Sequence, residues 1–87
     1  MSVNSKSIES YKELHKNNEI SKRQLEVLYC IRKLGQATNR MLAKHLSWDI
    51  NLVTGRVTEL RDKNLVEYAG EYKDKETNRT VNLWKCN

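Results

Sequence analysis

Proline is missing from these 87 residues altogether, as is phenylalanine, and there are only three glycines and two cysteines. With no proline-rich or serine-rich stretch, nothing in the chain reads as a linker, so one domain is expected. Cys30 and Cys86 lie far apart and fit no metal or redox spacing. His15 and His45 do not complete a zinc site, because ligands usually come in close pairs, with roughly two to five residues between them. The cysteines read as reduced and structural, and neither metal nor cofactor is expected. No apolar run exceeds the five residues Val27–Ile31, which excludes a membrane-spanning helix. The opening "MSVNSKSIESYKEL" has no apolar core of a secretory signal, so a cytoplasmic location and no membrane partner are expected. There is also no nucleophile–base pair, no paired carboxylates and no glycine-rich phosphate loop, so no enzyme is expected.

What the chain does have is charge. Sixteen Lys/Arg against eleven Asp/Glu leave a net +5; residues 1–50 hold nine bases against five acids, and residues 51–87 seven against six. A basic excess permits a polyanionic partner and speeds encounter with it. A merely solvated surface carries the same charge, so the excess alone decides nothing. With 38% hydrophobic and 31% charged residues, the chain can bury one modest core under a heavily charged surface.

Periodicity and caps divide that chain into elements. A weakly amphipathic helix is expected over 7–17, carrying Ile8, Tyr11 and Leu14 on one side. Ser21 and Gln24 fit a capping box, with Ile20 and Leu25 as its hydrophobic staple. A helix from Lys22 to Leu34 follows, with Val27, Leu28, Ile31 and Leu34 on the buried stripe and Gly35 ending it. Thr38 caps a short helix, Asn39–Leu46, and Asp49 caps another from Ile50 to about Lys63. Asn64 stands where a left-handed residue closes a helix. Thereafter the period changes: 65–72 and 80–86 read as strands, and the polar "KDKETNR" (73–79) as the loop between them.

Helices followed by a hairpin give a mainly α fold with a small β-hairpin, a winged helix-turn-helix with an extra N-terminal helix. The expected division is an N-terminal helical extension, 1–20, and a winged helix-turn-helix domain, 21–87. The stretch "LAKHLSWDINLVTGRVTELRDKNLV" (42–66) resembles the helix-turn-helix of MarR-type regulators. The matching residues are Leu42-Ala43, Leu46, Trp48, Asp49, Val53, Val57, Leu60 and Asn64-Leu65-Val66. "TNRTVNLW" (77–84) is similar to the wing return strand of small phage and prophage winged-helix proteins, apart from Asn78 where glycine is commoner. The resemblance implies DNA-level control in the cytoplasm, at the nucleoid or in a phage host.

The helix at 50–63 then carries the functional question. At about 100° per residue from Val53, the apolar Val57 and Leu60 stay within about 40°, while Asn51, Thr58, Gly55 and Asp62 lie about 140–200° away. Thr54 and Leu52 flank that outer side. A thin, hydrogen-bonding face suits a major groove: Asn pairs with an adenine edge, Thr with several edges, and glycine admits close backbone approach. Asn51, Leu52, Thr54, Gly55 and Thr58 are therefore the expected base contacts. Thr38, Asn39, Arg40 and Lys44 on the preceding helix, with Arg56 on the flank, are the expected backbone contacts. Lys73, Lys75 and Arg79 are the expected wing contacts. Double-stranded DNA is the expected partner. A palindromic site would need a homodimer, for which residues 1–20 and Trp84 offer a surface; alternatively, residues 1–20 cover the 22–34 helix in the same chain. The rival reading is a winged-helix module that docks on another protein.

Overall fold

The computed structural model describes residues 8–87, with side chains from Glu9 onward. The expected helix start at Ser7, the first residues of the extension and the side chain of Ile8 lie outside the described residues. Four helices, α1 (Ile8–Lys16), α2 (Lys22–Leu34), α3 (Asn39–Leu46) and α4 (Ile50–Asp62), precede strands β1 (Val66–Asp74) and β2 (Arg79–Cys86).

Caps place the helix boundaries. Gln24 N donates to Ser21 Oγ at 3.1 Å and Ser21 N donates to Gln24 Oε1 at 2.9 Å, a complete capping box. Thr38 Oγ1 accepts from Met41 N at 3.1 Å, and Asp49 Oδ1 from Asn51 N at 2.8 Å. These oxygens satisfy amides that a helix start otherwise leaves open. At the far end of α4, Asn64 adopts φ +61°, Leu65 N reaches Leu60 O and Asn64 N reaches Arg61 O, each at 2.9 Å. That nested pair turns the chain sharply into β1. The bend from α3 to α4 uses Ser47 at φ +57°, with Trp48 N donating to Ala43 O.

The strands are longer than their polarity suggests. Lys73 and Asp74 belong to β1 and Arg79 to β2, leaving only residues 75–78 for the turn. Asp74 explains the difference: its carboxylate accepts from Glu76 N and its carbonyl from Asn78 N, while Asn78 takes φ +59°. A ladder is made of backbone bonds, so polar side chains can occupy it freely. The antiparallel pairing carries a bulge between Tyr68 and Gly70, where Gly70 adopts φ +125°. A third edge exists in miniature. Ala37, between α2 and α3, exchanges two backbone bonds with Trp84, at 2.9 and 2.8 Å.

One core joins these parts. Val27, Leu28 and Ile31 of α2, Leu42 of α3, and Val53, Val57 and Leu60 of α4 are buried together with Leu65, Val66 and Trp84. Burying each such aliphatic side chain contributes roughly 1.5–3 kcal/mol. Tyr11 of α1 is fully buried in the same cluster, so α1 packs in cis against α2. Trp84, read from sequence as part of a dimer surface, is only 5% exposed. It is held by Ala37 on its backbone and covered by the Arg61 guanidinium, 4.5 Å from the ring centroid. The sequence position near the chain end is not a surface position, because β2 returns to the core. Among the described residues, no helix is long and apolar enough to cross a membrane.

Candidate nucleic-acid interface

Val53, Val57 and Leu60 anchor α4 on its inner side, which turns Asn51, Thr54 and Thr58 outward, all exposed. Gly55 lies on the same outer side: a β-carbon built there would meet nothing within 4 Å. Leu52 is half-buried at the edge of this strip. Two of the hydroxyls are already engaged: Thr54 Oγ1 donates to Ile50 O at 2.9 Å and Thr58 Oγ1 to Thr54 O at 3.0 Å. Each keeps acceptor capacity, and rotation can redirect the proton. The strip is uncharged for two turns from the helix N-terminus.

The expected backbone-contact residues fall into two groups. Thr38 is 2% exposed and its hydroxyl is occupied by Met41 N, so its side chain serves the α3 cap. Asn39 donates from Nδ2 to Thr54 Oγ1 at 3.3 Å, tying α3 to α4, while its buried Oδ1 has no partner among the described residues. The three cations all have carboxylate partners. Arg56 forms a two-pronged pair with Glu59, at 2.8 and 2.6 Å, and Glu59 also accepts from Gln24 Nε2 at 2.7 Å. These bonds, Arg56 first, hold the Glu59 carboxyl below the usual carboxylate range. One glutamine thus completes the α2 cap and braces the side of α4. Arg40 Nε lies 3.1 Å from Asp74 Oδ2 and 3.2 Å from Glu76 Oε2, and Lys44 pairs with Glu76.

The wing residues behave differently. Lys73, Lys75 and Arg79 are exposed and have no ion pair among the described residues. Between the wing and the starts of α3 and α4 runs a groove of about 580 Å³ whose walls include Asn39, Ile50, Thr77, Arg79, Thr80 and Asn82. Sequence reading missed Thr77, Thr80 and Asn82. The alternation of Thr80 and Asn82 along β2 carries that signal, since side chains two apart share a face. It also missed the partnership of Asp74 and Glu76 with α3. No local pattern encodes that contact, which spans more than thirty positions.

The thiols stand apart from this surface. Cys30 is buried, and Cys86 is half-buried with its sulfur 3.7 Å from Leu28 O. Burial pushes both thiols up, which disfavours the reactive thiolate. Among the described residues, no group of three or more His, Cys, Asp or Glu is placed to hold a metal ion.

Comparison with known proteins gives a consistent neighbourhood. The family model of the MarR family matches residues 20–70. No curated protein matches the sequence. Among solved structures, wild-type apo MarR from Escherichia coli is 28% identical with a TM-score of 0.67, over 88% of this chain and 54% of that one. A mutant of the same protein, complexed with operator DNA, is 28% identical with a TM-score of 0.66, over 88% of this chain and 52% of that one. The YusO protein from Bacillus subtilis, 22% identical, shares the fold with a TM-score of 0.70, over 92% of this chain and 55% of that one. The chain spans about half the length of each of these structures.

Proposed function

Because the chain belongs to the MarR family and has its winged-helix fold, we propose that it binds double-stranded DNA sequence-specifically and acts in transcriptional or other DNA-level control. The observation that carries this reading is the outer side of α4: an uncharged strip of Asn51, Thr54, Gly55 and Thr58, open beyond Gly55. Such a strip lets the helix lie deep in a major groove with amide and hydroxyl groups against base edges. The N-terminus of α3, with Asn39, would lie at the phosphates, and the wing would bring Lys73, Lys75 and Arg79 to a neighbouring groove or backbone. Residues 21–87 are the unit proposed to carry this interface, and Tyr11 of α1 packs into its core. The likeness to a protein solved on operator DNA supports the assignment.

The test begins with selection of bound sites from randomised duplex. Asn51→Ala and Thr54→Ala should then lose about 1–3 kcal/mol of preference for the selected site while binding to random duplex persists. Equal losses on both duplexes would put the reading face elsewhere. A second reading, docking on another protein, draws on the neutralised state of Arg40, Lys44 and Arg56, each held by a carboxylate. Elution from immobilised duplex at low salt, with no selected site emerging, would favour it.

A further inference from the structure

Arg40 and Lys44 stand one turn apart on α3, and Asp74 and Glu76 approach them from the wing. The hairpin turn is closed by Asp74 Oδ1 accepting from Glu76 N and by Asn78 N donating to Asp74 O. Asp74 Oδ2 and both Glu76 oxygens are thereby left to face the two cations. Two carboxylates set beside a guanidinium and an ammonium supply the negative charge and the acceptor oxygens that DNA phosphates would offer. We propose that the wing tip is an internal phosphate mimic: Asp74 and Glu76 occupy Arg40 and Lys44 in the free protein and compete with the DNA backbone for them.

This rests on the DNA-binding reading and adds a regulation of that same surface. Glu76 is the accessible half of the device, its side chain half-exposed, whereas Asp74 is nearly buried and tied into the turn. Pairs this exposed are weak in water, so a polyanion can displace Glu76. Displacement exchanges one anion for another at each cation. The wild-type protein therefore gains less from phosphate contact, and releases fewer counterions, than its exposed basic residues suggest.

Glu76→Gln removes the competing charge while keeping size and leaving the Asp74 turn intact. With random duplex, its affinity at low salt should exceed that of the wild type. Its slope of log K against log[salt] should be steeper by up to about 0.9 per cation released, which is about a 3.5-fold larger fall in affinity per cation between 50 and 200 mM salt. The same change placed on Arg40→Ala, Lys44→Ala should bring no gain. A gain that persists without those cations would mean general repulsion between Glu76 and DNA, and would overturn the mimic. Wild type and Glu76→Gln binding duplex with the same affinity and slope would overturn it equally, with the DNA reading intact. If neither protein binds any duplex, the DNA reading itself falls. Circular dichroism melts of all variants exclude loss of fold as the cause.

Discussion

Tyr11 and Gly55 are single residues with opposite surroundings, and each gives a sign that can be measured. The Tyr11 hydroxyl is fully buried with no hydrogen bond of good geometry, and burial, with the Cys86 thiol beside it adding, pushes its pKa up to about 12. In the unfolded chain a tyrosine ionises near its ordinary value of about 10. The folded state therefore holds its proton longer, and this stability is complete below about pH 10 and lost as pH rises towards about 12. Thermal melts between those values should fall for the wild type and stay flatter for Tyr11→Phe. The same substitution should cost little at neutral pH, since the hydroxyl it removes is buried without a hydrogen bond of good geometry. Gly55 faces open space, so Gly55→Ala should stabilise α4 by roughly 0.5–1 kcal/mol through helix propensity alone. Against DNA the added carbon must share the space between helix and groove. A slightly higher melting temperature with weaker duplex binding is expected, and Gly55→Leu should nearly abolish binding without unfolding. Unchanged affinity for Gly55→Leu would remove the α4 strip from the interface.

At the scale of elements, the bend between α3 and α4 stores a cost that the sequence does not advertise. Ser47 sits at φ +57°, a region that L side chains enter at a penalty of roughly 1–2 kcal/mol. Ser47→Gly should recover about 0.5–1 kcal/mol once the looser unfolded chain is counted, seen as a rise of a few degrees in a thermal melt. Asn18, Asn64 and Asn78 adopt the same conformation. There the residue type is itself the signal, because asparagine tolerates that region best after glycine. The helices were legible because caps, stripes and stops agree: Ser21 with Gln24, Thr38, Asp49, and the apolar spacing of α2 and α4. The extent of the hairpin was not, because Lys73, Asp74 and Arg79 pair through backbone atoms and their side chains say "loop". Direction on α4 was legible from three apolar residues. The partners of its flank were not, because Glu59 meets Gln24 across 35 positions.

For the molecule as a whole, net charge is a poor guide to the potential that an approaching polyanion meets. The chain carries +5, yet Arg40, Lys44 and Arg56 face carboxylates, and Arg61 lies over Trp84. The unpaired bases of the site cluster instead on the wing. The hairpin that carries them is also supported at two places. At its root, Ala37 clamps Trp84 with two backbone bonds; at its tip, the side chains of α3 hold Asp74 and Glu76. Mechanically this is a beam propped at both ends, its one irregular point the bulge near Gly70. Free the tip and the same strands become a cantilever. Their motion is then a swing about the root, largest where Lys75 stands. The tip contacts would then decide how far the wing swings, and the two hydrogen bonds at its other end would act as the pivot.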